Sequence, residues 1–434
     1  MSPFLSLGMF LFVFLFFAMA IKVPVALSIA LGTFCVLLSN DYSLMIFSQS
    51  MYSTLDSFPM LAMPYFILAG AIMQYSGIST ALLNMVDSFV GRVRGNLGAI
   101  AVLGSMAFGV LTGATMATLS AIGGMMIEPM CKNGYTRSYT AALIAAASFL
   151  GVLIPPSVPG IMFATVSSTK VSEVWLATIG PGVMLGIFYI VINYMIVGRR
   201  EVKAESSFAL GSYLKTATCQ TGRAFWALLM PVIIFGGIYG GIVTPTEAGA
   251  VSVIYGLAYF FAKKCIFKKG DIKESMWKIF VSSAGTTAVI GLIMCASTGA
   301  GRAIALSGIA DALASFITGS IASADMFLMI VVLILLFLGT FMSHTPSILI
   351  MTPLLMPTVE AFAIDPVHFG SVMLVTLSLG QITPPYAGSI FLACKLSGAP
   401  FGAVCKDLIP FFACGLVTVL FTVFFPQLSL FLIN

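Results

Sequence analysis

A chain whose apolar runs are each about as long as a lipid bilayer is thick has few folds open to it. Phe4–Ile21, Phe225–Val243 and Phe411–Ile433 are such runs. A helix of about 20 apolar residues spans the hydrocarbon core, and only a helix or a closed barrel satisfies its backbone groups there. These runs are continuous, unlike the short alternating segments of an outer-membrane barrel. Only 8% of the residues are charged and 59% are hydrophobic, against roughly 25% charged in a soluble domain. The class is therefore an all-α polytopic membrane protein. The first run has no basic segment ahead of it and no small-residue cleavage site, so it reads as a retained span rather than a signal peptide. The eight cysteines are scattered through apolar segments without metal-ligand spacing and read as small core residues.

Apolar segments fall near 4–21, 24–39, 59–76, 97–130, 138–172, 177–198, 225–243, 247–262, 282–300, 326–358, 367–397 and 408–432. Four of them, 97–130, 138–172, 326–358 and 367–397, are too long for one crossing. Basic residues mark cytoplasmic loops. Threading outward from Arg199-Arg200 and Lys263-Lys264 leaves only Lys170 and Arg302 outside, so 18 of the 20 Lys and Arg lie inside. That bookkeeping works only if 97–130 and 326–358 each enter and leave on one face. Both are expected to be re-entrant hairpins with arms of about 15 residues, roughly 22 Å of helix. The stretches 79–95 and 302–319 mix apolar and polar positions at helical spacing, the pattern of interfacial helices.

Inside two of the long segments sit the worst helix formers available. "GVLIPPSVPGI" (Gly151–Ile161) and "GQITPPYAGSI" (Gly380–Ile390) share a Gly-Pro-Pro pattern 229 residues apart. Pro181 and Pro410 keep that offset; Gly109 and Thr115 match Gly339 and Thr345 at 230, and "SGI" at 76–78 answers "SGI" at 307–309 at 231. The two halves are repeats, and the charge topology orients them oppositely. Inverted repeats with interrupted helices are the pattern of a secondary transporter, with substrate and ion sites between the two halves. Carbonyls that lose their donors to proline would cost several kcal/mol each in lipid. They become tolerable facing a buried cation; the other reading is a plain proline kink packed by neighbouring helices.

Each half pairs a hydroxyl-rich hairpin tip with a broken helix. The first has Thr112-Gly113-Ala114-Thr115 with Gly151–Ser157, and the second has Gly339-Thr340 and Ser343-His344-Thr345 with Gly380–Gly388. Carbonyl and hydroxyl oxygens are hard ligands that suit a sodium-like ion, not a transition metal. Helix N-termini at the breaks favour an anion such as a carboxylate. His344 either relays protons or substrate contacts, or is merely hydrogen-bonded; His368 opens a span and reads as interfacial. Thr244-Pro245-Thr246-Glu247 has the spacing of a capping box. Glu128 and Arg302 sit near span ends, where snorkelling explains them. There is no His-Glu-x-x-His, no Gly-x-Ser-x-Gly, no paired intramembrane aspartates and no phosphate-binding Gly-x-x-x-x-Gly-Lys loop. An enzyme is not expected, no organic cofactor or nucleic-acid partner is implied, and the energy must come from a gradient or another chain.

The motifs "FPMLAMPYFILAGAIM" (58–73), "GRVRGNLG" (91–98), "GVLTGATMATLSAIG" (109–123), "LIPPS" (153–157), "GIVTPTEAGA" (241–250) and "LGQITPP" (379–385) together resemble the large membrane subunit of TRAP transporters, the tripartite ATP-independent periplasmic carriers. The resemblance covers essentially the whole chain. It implies an elevator-type transporter of the ion transporter superfamily in the bacterial inner membrane. A mobile part (95–198 and 324–434) would carry a small carboxylate, a sugar acid or dicarboxylate, with sodium past a scaffold (1–94 and 199–323). It also implies two partners, a small four-helix membrane subunit and a periplasmic substrate-binding protein. With the tip residues, the implied sodium ligands are Thr112, Gly113, Thr115, Gly151, Leu153 and Ser157 in the first half. In the second half they are Gly339, Ser343, Thr345, Gly380, Thr383 and the carbonyl of Tyr386. Ser157, His344, Thr345 and Gly388 are the candidates for touching substrate. The chain departs from the family pattern at both tips: Ser343-His344 stands where an acidic residue is common, and Thr-Gly-Ala-Thr where a Ser-rich run is usual. Two rival functions share these features: a related carrier that needs no binding protein, and a channel, since re-entrant hairpins also build pores.

Overall fold

The computed structural model describes residues 23–76, 78–90, 95–197, 225–226, 228–266, 275–321, 323–384 and 388–433. The run Phe4–Ile21, Arg92 and Arg94, the basic loop from 199, Lys268-Lys269, Pro385 and Tyr386 lie outside the described residues. Among the described residues all regular structure is helical. Four helices among the described residues, Val171–Val197, Met276–Leu306, Ala324–Phe341 and Phe401–Phe424, are individually long and apolar enough to cross a membrane. Val171–Val197 shows why these need lipid. Leu185, Tyr189, Asn193 and Val197 line its buried face, yet its other face exposes Ile187, Val191 and Met195. A helix apolar all round belongs in a core or a bilayer.

Both halves run through the same order of elements. A short helix (Ile78–Val90; Ile309–Ser320) leads to a helical pair (Asn96–Thr112 and Thr115–Lys132; Ala324–Phe341 and His344–Ala361). A broken helix follows (Arg137–Ser148 and Leu150–Leu153, then Val158–Ser167; Pro366–Gly380, then Gly388–Ser397), and a long helix closes each half (Val171–Val197; Phe401–Phe424). The first break bends the helix by 44°. The arms of the pairs are 17 or 18 residues, about 26 Å at 1.5 Å per residue. They are two or three residues longer than expected, and of the four only Ala324–Phe341 is both long and apolar enough for a crossing.

Local chemistry sets these boundaries. Thr136, Ser323 and Asp365 accept hydrogen bonds from first-turn N–H groups, with Pro366 just inside the helix that Asp365 caps. Gly113 ends the first arm at φ +56°, where a side chain would be strained. The capping box forms as read: Thr244 N and Oγ1 donate to Glu247 Oε2 (2.7 and 2.9 Å), and Glu247 N donates to Thr244 Oγ1 (3.3 Å).

One sequence expectation needs correction, and one helix escapes the sequence pattern. The segment from 302 is not one amphipathic helix: Met276–Leu306 continues through Arg302 because Ala303 and Ile304 are buried, and the turn comes at Gly308 (φ +67°). Met45–Leu55 is a helix that its Ser- and Gln-rich pattern concealed; Phe47 anchors it edge-on against Phe34 at 4.8 Å. His368 lies in the first turn of Pro366–Gly380, as read; its side chain is buried, and neither ring nitrogen has a hydrogen-bond partner among the described residues.

Packing interlocks the halves. The first arm of each pair lies on its own broken helix, and the second arm lies both on its own broken helix and on the far segment of the other half's. Arg137 Nη1 donates to Ser397 O (2.7 Å), tying the start of one broken helix to the end of the other, and Ser138 Oγ donates to Asp407 Oδ2 (2.7 Å) in the long helix Phe401–Phe424. Glu128 sits 3.5 Å from Arg137, both of them exposed, so that ion pair adds little. Around this body, Phe58–Ser76 packs on Pro245–Ile266 and Met276–Leu306, and the latter also on Val25–Ser39 and Met45–Leu55.

Candidate functional site

Glycine brings each hairpin onto its break. A Cβ on Gly380 would lie 2.7 Å from Gly339 Cα, and one on Gly339 would lie 2.9 Å from Gly380 Cα. In the first half Gly109 meets Gly151 more closely still, and Gly113 at the tip faces the carbonyl of Pro156. The residues matched by repeat offset are thus in contact in both halves. Gly151 also leaves room for Thr118 Oγ1, which donates to Ala114 O (3.0 Å) and lies 3.3 Å from Thr112 Oγ1.

The two tips converge on one cavity of about 400 Å³. Thr112, Gly113 and Thr115 line it from the first tip, and Ser343, His344 and Thr345 from the second. Gln381, at the end of Pro366–Gly380, closes one side. The facing wall comes from the outer helices: Gln74 of Phe58–Ser76, and Ser282, Ser283 and Thr286 of Met276–Leu306. No described lining residue is Lys, Arg, Asp or Glu. The first turns of Thr115–Lys132 and His344–Ala361 open on this space. Neither Ala114 nor Ser343 makes a side-chain cap, so their N–H groups remain donors without a side-chain partner. The Thr115 and Ser283 hydroxyls are buried and also have no partner among the described residues.

His344 is anchored at both nitrogens. Gln381 Nε2 lies 2.6 Å from His344 Nδ1, and His344 Nε2 lies 2.8 Å from Ser378 Oγ. The Ser378 hydroxyl hydrogen goes to Leu374 O at 2.7 Å. Ser378 therefore accepts from Nε2–H, and Nδ1 accepts from Gln381.

The remaining sequence candidates lie away from the cavity lining. Ser157 caps the segment after the first break, accepting from Gly160 N (3.2 Å), while its carbonyl takes Trp175 Nε1–H (3.1 Å) and Ile161 N–H (3.2 Å). Leu153 is buried just before that break. At the second break the Gly380 carbonyl accepts from Thr383 N (2.9 Å), and Thr383 Oγ1 donates to Leu379 O (3.0 Å). Gly388 abuts Met116, which does line the cavity. Tyr386 lies outside the described residues. Gln381, Thr118 and the serines of Met276–Leu306 were not singled out from sequence. Gln381 sits inside the quoted break motif, but nothing in the pattern distinguishes the serines from helix-facing hydroxyls. Among the described residues no group of three or more His, Cys, Asp or Glu could hold a metal ion.

Residues 9–428 match the family described as "Tripartite ATP-independent periplasmic transporter, DctM component". The isethionate TRAP transporter permease protein DctMQ of Oleidesulfovibrio alaskensis is 34% identical over 385 residues, 88% of this chain; the chain spans 59% of that relative's length. The C4-dicarboxylate TRAP transporter large permease protein DctM of Pseudomonas aeruginosa is 33% identical over 403 residues, 93% of this chain and 92% of that one. Among solved structures, the YdaH transporter of Alcanivorax borkumensis shares the fold with a TM-score of 0.62 over 86% of each chain, at 13% identity.

Proposed function

Because the chain belongs to the DctM family of tripartite ATP-independent periplasmic transporters, we propose that it is the large permease of a sodium-coupled importer of a small carboxylate. It works in the bacterial inner membrane with a small four-helix subunit and a periplasmic binding protein that delivers the cargo. In this reading the helical pairs are re-entrant, the halves are inverted repeats, and the body formed by 95–198 and 324–434 moves as an elevator against the remaining helices. The observation that carries it is the shared cavity. Two tips at repeat-equivalent positions form one wall, and helices outside the moving body form the other. Cargo held there would lie on the boundary that an elevator must slide along.

Sodium would be held by oxygen ligands behind the tips. In the first half these are Thr112, Gly113 and Thr115 with the carbonyls of Gly151 and Leu153. In the second they are Gly339, Ser343, Thr345, Gly380, Thr383 and Tyr386. The donor chemistry fits a hard monovalent cation. Prolines at 155 and 156 remove the helical donors of the Gly151 and Val152 carbonyls. The Thr112 and Thr118 oxygens lie 3.3 Å apart, beside carbonyls to which each can donate its own hydrogen. Ser157 is better described as the cap that stabilises the break.

The test is thermal unfolding of the purified chain across a NaCl titration, with KCl at matched ionic strength. An ion that binds only the native state stabilises it by about 2.7 kcal/mol at a hundred times its Kd. The expected result is a saturable, sodium-specific rise that Thr112→Val and Thr383→Val each weaken. Coincident curves in the two salts would remove the sodium coupling and favour proton coupling or a channel.

A further inference from the structure

A second cavity, of about 370 Å³, lies away from the tips. It is lined by Ile46, Gln49, Ser50 and Ser53 of Met45–Leu55 and by Arg302 and Leu306 of Met276–Leu306. The charge topology puts it at the outer face. No described lining residue is Asp or Glu. Arg302 is exposed and has no hydrogen-bond or ion-pair partner among the described residues. Of the two cations that the charge topology leaves outside, Lys170 is bound to Glu173 at 2.7 Å, so Arg302 is the one that keeps a free charge.

The repeat offset gives this pocket a counterpart. The 231-residue shift that pairs Ser76 with Ser307 carries Met276–Leu306 onto 45–75, the stretch covered by Met45–Leu55 and Phe58–Ser76. One helix of the second half thus answers two in the first. The same shift pairs Leu306 with Tyr75 and Arg302 with Ala71, and both first-half residues line the cavity between the tips. In return, Ser282, Ser283 and Thr286 of that cavity fall on Met51, Tyr52 and Leu55, in the helix that lines the outer pocket. The outer pocket is therefore the counterpart of the wall that faces the tips, with no tip against it. Arg302 takes no part in the present cavity. It stands 12 residues beyond Ile290, the last residue of its helix to line that cavity, about 18 Å at 1.5 Å per residue.

We propose that the outer pocket is the scaffold wall of the outward-facing cavity and an anion site of its own, where the Arg302 guanidinium takes a carboxylate of the arriving cargo and is left behind on the inward stroke. This inference rests on the inverted-repeat and elevator reading given above. A guanidinium holds a carboxylate through two parallel hydrogen bonds. The Gln49 amide lines the same pocket without a partner among the described residues and can add a third donor. On the inner wall the place of Arg302 is taken by Ala71. The scaffold thus offers a cation where cargo arrives and none where it leaves, so the acid is held more tightly on the outer side than on the inner.

The experiment locks the full chain at each end and measures acid binding. In a chain whose native cysteines are replaced by serine, Met116→Cys is joined by a bis-maleimide to Thr286→Cys, across the cavity between the tips, or to Leu55→Cys, the repeat counterpart of Thr286. Binding of succinate and gluconate is measured by calorimetry in NaCl, in nanodiscs of phosphatidylcholine with and without phosphatidylglycerol. Arg302→Gln should weaken binding to the outer-locked chain by about tenfold or more, the ratio that corresponds to one charged hydrogen bond, with Arg302→Lys in between. The inner-locked chain should bind as before, which also shows that the variant is folded. An outer-locked chain indifferent to Arg302→Gln, or an equal loss in both locked forms, overturns the inference and leaves the elevator standing, with Arg302 a snorkelling residue. An effect confined to phosphatidylglycerol assigns the pocket to a lipid phosphate and overturns it as well. Failure of the Leu55 pair to cross-link where the Thr286 pair does so overturns the elevator reading itself, and failure of both acids to bind either form overturns the cargo reading.

Discussion

Substituting Gly380 by alanine separates two roles that the sequence runs together. As a sodium ligand Gly380 would act through its carbonyl, which alanine retains. As a packing residue it acts through the hydrogen that alanine replaces. The new Cβ would lie 2.7 Å from Gly339 Cα, 3.0 Å from Gly339 C and 3.1 Å from Leu336 O, where ordinary contact begins near 3.4 Å. The deficit of about 0.7 Å falls on backbone atoms, so no rotamer change relieves it and the hairpin arm must move off the broken helix. Overpacking of this kind costs about 1–3 kcal/mol. Better helix propensity returns at most about 1 kcal/mol, and less at Gly380, which ends its helix. A net loss of about 1–2 kcal/mol is expected. Gly339→Ala, whose Cβ would stand at 2.9 Å, should lose less. Gly124→Ala, in an arm with nothing within 4 Å of the new Cβ, should be neutral or more stable by up to about 1 kcal/mol. The assay is the unfolding midpoint in KCl, where sodium plays no part. Midpoints move by about 2–4 °C per kcal/mol in chains of 150–250 residues and by less in longer ones. If Gly380→Ala matched Gly124→Ala in KCl, the glycine contact would not be what holds the hairpin to the break.

Two further outcomes follow from single contacts. Trp175→Phe removes the indole donor to Ser157 O but leaves Ile161 N–H on the same carbonyl. The loss should therefore stay near the worth of one hydrogen bond, about 0.5–1.5 kcal/mol, and a loss of 3 kcal/mol or more in chemical unfolding would refute that assignment. At the loop end of Pro245–Ile266, the Thr244 N–H and hydroxyl hold the Glu247 carboxyl below its ordinary range. A depressed carboxylate stabilises the fold above its unfolded value, near 4.3, and that contribution disappears as pH falls through the lower folded value. Glu247→Gln should lower the midpoint slightly at neutral pH and flatten its dependence below pH of about 4.3; a native-like acid slope in the variant would contradict the capping role.

The length of the apolar runs and the placement of prolines made the helical architecture legible, because lipid leaves a backbone so few options. The recurring order of elements was legible as well, since Gly109, Gly151, Gly339 and Gly380 recur at near-constant offset. What those glycines do was not. Sequence suggested ligand carbonyls, and the geometry adds backbone-to-backbone contact, which depends on which helix lies opposite. The tips were readable as small hydroxyl residues between apolar arms, and seven of the residues named there line the cavity. Ser157 carried a cap signal that could have been used, a serine two residues ahead of a proline in a helix's first turn. The His344–Gln381 pair had none. It joins residues 37 apart through the packing of a hairpin arm on a broken helix, and neither residue type announces a partner.

Proline in a buried helix raises the question of how its orphaned carbonyls are satisfied, and the two breaks answer in part without any ligand. At the first, Ser157 caps Gly160 and its own carbonyl holds Trp175 and Ile161. At the second, a tightened turn places Thr383 N–H on the Gly380 carbonyl. The breaks thus carry internal hydrogen bonds that keep their shape when empty, which a carrier needs if it returns across the membrane unloaded. The helix starts at Thr115 and His344, by contrast, have no side-chain cap, and the buried Thr115 and Ser283 hydroxyls have no partner among the described residues. Unused hydrogen-bonding capacity is costly when buried and is retained where a ligand completes it. That unused capacity faces the space between the tips, the cargo site proposed above, and the breaks behind them pack against those tips.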